Sequence, residues 1–179
     1  MEIFGLLFAI LLATLILVIL REPFRRFLQP EWDFFVSHRS TDNEIIIPIV
    51  DKLKGMNCRV WIYLDEIDEE ESKDRFRRPI SVGIQRSSFV LLFTSKEYCK
   101  SDYCRQEAFF CINRFAKQPH RIIEIRLDNI DVRNILSIPS TSLCLDFSLG
   151  AAGRDKEEPH MALVNRITFH TKSDVNKIR

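Results

Sequence analysis

Glycine is scarce in this chain, with 5 in 179 residues. Nowhere does it form the Gly-x-Gly-x-x-Gly run that follows a strand in a dinucleotide-binding turn, which argues against that fold. So few glycines beside 14 phenylalanines suit a packed core and exclude a low-complexity chain. Excess charge of either sign is missing too. Lys and Arg number 26 against 25 Asp and Glu, with no basic stripe to hold nucleic acid and no acidic tail. The cysteines are an odd five, Cys58, Cys99, Cys104, Cys111 and Cys144, at scattered spacings, which is no disulfide framework. Cys99 and Cys104 have no histidine near them in sequence and no second cysteine pair, so no metal ligand set is expected. Cys58, Cys111 and Cys144 fall in apolar runs and read as buried thiols of a reducing compartment.

A single long hydrophobic run is present. Residues 3–20 are apolar apart from Gly5 and Thr14, and Arg21, Arg25 and Arg26 follow at once. A helix that long reaches ~27 Å, close to the hydrocarbon thickness of a bilayer. The run predicts a single-pass transmembrane helix at 3–20 with membrane lipid as its partner. The positive-inside rule then puts the amino terminus outside and the remainder in the cytoplasm. A cleaved signal peptide is the rival; a basic leader and an Ala-x-Ala-like site are lacking. Residues 21–30 read as a basic-aromatic juxtamembrane linker, 31–172 as one domain and 173–179 as a polar, frayed tail.

Within that domain strand and helix patterns alternate five times. Strands are predicted at 32–37, 58–63, 89–94, 122–126 and 142–146. A helix through Ile45, Ile46, Ile49, Val50 and Leu53 ends at Gly55. An acidic loop, 64–72, follows the second strand, and a basic helical stretch broken by Pro79 covers 73–86. A short helix is expected within 129–140. In the last helix, 160–172, Leu163, Ile167 and His170 share one side. This alternation predicts an α/β fold, a flavodoxin-like five-stranded parallel sheet in the order 2-1-3-4-5 with helices on both faces. A receiver domain is disfavoured, because Asp33 lies at the wrong end of its strand and Thr94-Ser95 ends the third.

The most informative stretch begins at the third strand. A short loop follows it, and a helix is entered through Ser101 and Asp102. On that helix Cys104, Ala108, Cys111, Ile112 and Phe115 form an apolar stripe. Glu107 sits on or beside the stripe, where an unpaired carboxylate is costly. It lies just past the C-terminal end of a strand, where open α/β sheets place ligands. Glu107 is therefore the leading candidate for chemistry. Its bland alternative is an ion pair with Arg105 or Arg114.

Two runs resemble signatures of the Toll/interleukin-1 receptor (TIR) domain family. Trp32-Asp-Phe-Phe-Val-Ser-His38 is similar to the family's first strand. Val90-Leu-Leu-Phe-Thr-Ser95 with Tyr98, Ser101, Tyr103, Cys104 and Glu107 is similar to its third strand and the helix after it. Asp65 matches the start of the family's BB loop. The likeness spans about 32–147, with two departures: the loop lacks its usual glycine near Glu70, Glu71 and Ser72, and Tyr103 stands where Trp is commoner.

The resemblance implies one of two activities. Some TIR domains only bind other TIR domains; others hydrolyse or cyclise NAD+ with a glutamate at the position of Glu107. An NAD+ nucleosidase would take NAD+ as substrate and need no cofactor. Glu107 would be catalytic, with Ser37, Arg39, Trp61, Asp65 and Tyr103 as substrate-binding candidates. Arg39 reads equally as a solvated loop residue, Trp61 as core, and His38 as structural. The family also implies self-association through the 64–72 loop, for which Arg75, Arg77, Arg78 and Arg86 offer a basic complement. A non-catalytic membrane adaptor is the alternative.

Overall fold

The eight residues of the third strand explain the rest of the architecture. Ser87–Thr94 (β3) is buried at every position, as a strand covered on both faces must be. The computed structural model describes residues 11–12, 14–16, 30–63, 73–148 and 157–178. In it β3 lies between Trp32–Ser37 (β1) and Ile122–Arg126 (β4), with Val60–Ile62 (β2) and Leu143–Asp146 (β5) at the edges. Every pairing is parallel and the order is β2-β1-β3-β4-β5, as the alternating pattern predicts.

Alternate residues of each strand face opposite layers. Phe34, Val36, Leu91, Phe93, Ile123 and Ile125 pack with the helices Asn43–Gly55 (α1) and Glu157–Ile178 (α6). Phe35, Val90, Leu92 and Ile122 face the other way. Their cover comes from Lys73–Gln85 (α2), Lys96–Lys100 (α3), Asp102–Arg114 (α4) and Arg133–Leu136 (α5).

Several boundaries differ from the sequence reading, each for a local reason. β2 is three residues long and starts past Arg59, whose backbone N–H donates to Asp33 Oδ2 at 2.8 Å and whose guanidinium donates to Oδ1 at 2.8 Å. That pair fixes the register of β1 against β2. α1 does end at Gly55, yet the left-handed residue is Asn57, at φ 61°, a conformation asparagine tolerates. The stretch read as a loop after β3 is the helix α3. α6 starts at Glu157 and runs through Ile178, so the residues taken for a frayed tail are helical to that point. It buries Leu163, Val164, Ile167 and Thr171, and His170 is exposed.

The expected membrane helix 3–20 lies mostly outside the described residues. Those of it that are described are helical, and Leu11, Leu12, Leu15 and Ile16 are exposed. Among the described residues no helix is long and apolar enough to cross a membrane. Residues 21–29 of the linker and the whole 64–72 loop, Asp65 included, also lie outside the described residues.

Candidate active site

The candidate glutamate is placed by two serine caps. Ser95 caps α3 by accepting from the Tyr98 backbone N–H at 3.1 Å. Ser101 caps α4 by accepting from the Cys104 N–H at 3.3 Å. Each cap satisfies one of the donors that a helix start leaves unpaired. The chain turns at Ser101, and α4 then sets off with Glu107 in its second turn.

The same hydroxyls also reach across to the segment after β1. Ser95 donates to Asp42 Oδ2 at 2.8 Å. Ser101 accepts from Arg39 Nη1 at 3.1 Å. The Cys104 thiol lies 3.5 Å from the His38 carbonyl oxygen. His38, for which the sequence offers no partner, has Nε2 2.8 Å from Asn43 Oδ1, and burial lowers its pKa.

At the centre is a chain of three oxygens. The Ser37 hydroxyl donates to Glu107 Oε2 at 2.6 Å and lies 2.7 Å from the Tyr98 hydroxyl. Ser37 and Tyr98 are both fully buried. Glu107 retains some surface exposure, but its carboxyl is turned inward onto the end of β1. Burial pushes the Glu107 pKa up to about 7, and the bond from Ser37 only partly offsets it. Burial also pushes the Tyr98 hydroxyl well above its ordinary value and the Cys104 thiol to about 11, so both stay protonated at neutral pH. The expected alternative partners of Glu107 are engaged elsewhere. Arg105 pairs with Asp102, and the Arg114 guanidinium lies 5.1 Å from the Phe115 ring centre.

The remaining candidates divide. Arg39 joins Glu107 at the exit of β1 through its tie to Ser101, the residue that starts the glutamate's helix. Trp61 packs flat against Phe35, with centroids 4.9 Å apart and planes at 14°. It is also wedged under α2, where a Cβ on Gly83 would stand 2.7 Å from its Cδ2. Its ring is thus part of the layer beneath the site. Tyr103 packs at the edge of that same layer. Ser37, read as a substrate contact, has its hydroxyl turned to Glu107 and Tyr98. Among the described residues no three His, Cys, Asp or Glu side chains gather as a metal site. None of the five cysteines forms a disulfide; Cys111 is buried, whereas Cys58 and Cys144 are only partly so.

Two groups escaped the sequence reading. Tyr98 stands three residues from each capping serine, and that spacing is the signal that could have found it. Glu124 is fully buried in β4 and accepts from Arg133 Nε at 2.7 Å. A charge amid Ile122, Ile123 and Ile125 was its signal. A separate hollow of about 350 Å³ opens at the opposite, N-terminal edge of the sheet, between His120, Ser142 and His170, away from Glu107.

The family described as "TIR domain" matches residues 34–163. "NAD(+) hydrolase TcpC" of Escherichia coli is 26% identical over 107 residues, 58% of this chain and 33% of that protein. "2' cyclic ADP-D-ribose synthase AbTIR" of Acinetobacter baumannii is 30% identical over 80 residues, 44% of this chain and 29% of that protein. The chain thus spans about a third of the length of these curated relatives. Among solved structures, the TIR domain of the Toll-related receptor TRR-2 from Hydra magnipapillata superposes with a TM-score of 0.54 at 17% identity. That match covers 77% of this chain and 95% of the Hydra chain, and it concerns the fold.

Proposed function

The chain belongs to the TIR-domain family, and from that premise we propose that it is a membrane-anchored NAD+ nucleosidase with Glu107 as its catalytic residue. The observation that carries this reading is the Glu107 carboxyl, drawn inward onto Ser37 at the C-terminal edge of the central strands, with its pKa raised to about 7. A surface ion-pairing glutamate would have neither property. The names of the bacterial relatives, an NAD+ hydrolase and a cyclic ADP-ribose synthase, favour the same chemistry.

The reaction breaks the bond between nicotinamide and C1′ of the ribose. Its electron pair leaves with nicotinamide, which departs neutral and needs no strong acid. The ribose is left with oxocarbenium character. A carboxylate in a water-poor setting stabilises that cation more strongly than one in bulk water. The positively charged nicotinamide ring of the incoming substrate favours ionisation of Glu107 before the bond breaks. Water then adds at C1′ and releases a proton; attack by another ribose hydroxyl of the substrate would give a cyclic product. Arg39 meets the phosphates or ribose at the exit of β1. Tyr103 offers the aromatic surface, backed by the Trp61 ring in the layer beneath, and Asp65 completes the substrate contacts proposed.

Residues 3–20 anchor the chain in the membrane with the domain in the cytoplasm. Confinement to a surface raises the effective concentration of domains that must touch to work. Association through the 64–72 loop would then switch NAD+ loss on, as part of defence or cell-death signalling.

The test is NAD+ loss and nicotinamide release by full-length chain reconstituted at high density in liposomes, wild type beside Glu107→Ala. The variant should be slower by about 100-fold or more. Oligomers without turnover would leave a non-catalytic adaptor, and undiminished turnover in Glu107→Ala would remove the assignment. Protease protection of the domain inside sealed vesicles checks the topology.

A further inference from the structure

We infer that Ser37 and Tyr98 are positioning residues, a two-bond hydrogen-bond chain that holds the Glu107 carboxylate in one orientation with one oxygen engaged and the other left for the ribose. The inference rests on the nucleosidase reading for its consequence, but its geometry stands alone. Ser37 has a single hydroxyl proton, and that proton goes to Glu107 Oε2 at 2.6 Å. The contact of 2.7 Å between Ser37 and Tyr98 must therefore be donated by the tyrosine. The order Tyr98 to Ser37 to Glu107 is fixed whenever the glutamate is ionised. All the donors point toward the charge, so the arrangement favours the carboxylate over the acid.

Tyr98 is suited to this role because it cannot do much else. Its ring is fully buried among Phe35, Leu92, Cys104 and Cys111, and its backbone is capped by Ser95. Its hydroxyl stays protonated and cannot compete for the negative charge. Ser37 is fully buried as well, so a substrate hydroxyl could reach it only by displacing Glu107.

The other titratable groups on elements packed around Glu107 do not replace this chain. Cys104 and Cys111 on α4 are neutral thiols that interact with it unfavourably when ionised. His38 and Arg39 lie in the segment after β1, where His38 is held by Asn43 and Arg39 by Ser101. Tyr63 follows β2 and stacks on Trp61 at 6.5 Å. The described side chains of α2, residues 79–85, include no titratable group.

The experiment follows the Glu107 side-chain carboxyl by carbon-13 NMR in the full-length chain in detergent micelles, with Glu107→Gln assigning the resonance. NAD+ turnover is measured on the same variants reconstituted at high density in liposomes. Ser37→Ala should raise the titration midpoint of Glu107 by about one pH unit, and Tyr98→Phe should raise it by less. The double variant should match Ser37→Ala, because Tyr98 acts only through the serine. In turnover, both should lower kcat about tenfold with little change in KM, and the acid limb of the rate profile should move to higher pH.

A Tyr98→Phe midpoint equal to wild type, or a double variant shifted beyond Ser37→Ala, would overturn the chain. So would a Ser37→Ala that raises KM alone, which would make Ser37 a substrate contact. Should Ser37→Ala fail to fold, Tyr98→Phe, which keeps the ring, decides by itself. Shifted midpoints without NAD+ turnover in any sample would retain the chain and refute the nucleosidase.

Discussion

Replacing Glu107 with glutamine should make the protein more stable while abolishing NAD+ cleavage. Glutamine has the same shape and its amide oxygen still accepts from Ser37, but it carries no charge to strip of water. The cost of the native charge follows from its proton affinity. The glutamate pKa rises from its ordinary 4.5 to about 7 because the carboxyl is buried. At about 1.36 kcal/mol for each pH unit this corresponds to roughly 3 kcal/mol, or about 2–3 once partial contact with water is allowed for. Between pH 4.5 and 7 the folded chain keeps a proton that the unfolded chain has lost. Stability therefore falls as pH rises through that window and stays low above it.

Urea unfolding of full-length wild type and Glu107→Gln in the same detergent measures this directly. At pH 8 the variant should be more stable by about 2–3 kcal/mol, and at pH 5 the gain should shrink below about 1 kcal/mol. A glutamate in a structural ion pair would behave oppositely, losing stability on neutralisation at pH 8. Two results refute the reasoning. One is no gain at pH 8; the other is a gain of equal size at pH 5, which would be a packing effect indifferent to charge.

Two further substitutions probe the scaffold. Arg133→Met leaves Glu124, fully buried, without the guanidinium that donates to it at 2.7 Å, and should cost about 3–5 kcal/mol at neutral pH in urea unfolding. Gly83→Ala places a methyl 2.7 Å from Trp61 Cδ2 and should cost about 1–3 kcal/mol. The displaced indole should change its fluorescence in the same experiment.

The sheet order was legible because five strand patterns alternate with helical ones, and β3 is apolar over the span that two covered faces require. Glu107 was legible because a charge beside an apolar stripe contradicts its surroundings. What escaped was information carried by partners far along the chain. Arg59 and Asp33 lie 26 residues apart, and their pairing sits where β2 begins. Five residues are too few for α3 to show a helical period. In α6 the choice of inner residue lay between His170 and Thr171, three or four positions beyond Ile167, and only packing decides between them. Tyr98 passed as one aromatic of a motif because its hydroxyl partner, Ser37, is 61 residues away.

The spacing of the motif has a physical origin that ties these observations together. Ser95, Tyr98, Ser101, Cys104 and Glu107 stand three apart, and each touches the segment Ser37–Asp42. The contacts run from Ser95 to Asp42, Tyr98 to Ser37, Ser101 to Arg39, Cys104 to the His38 carbonyl, and Glu107 back to Ser37. A continuous α-helix turns about 100° per residue, so five positions at this spacing would fan over roughly 240° of its surface. They could not all meet one short segment. The extended residue Ser101, at φ −79° and ψ 118°, ends α3 and restarts the helical phase as α4. Ser101 therefore does more than cap a helix. By breaking the helix and holding Arg39, it lets a residue twelve positions beyond Ser95 return to the strand end where the first contacts began, which is how a glutamate from the second turn of α4 is brought onto Ser37.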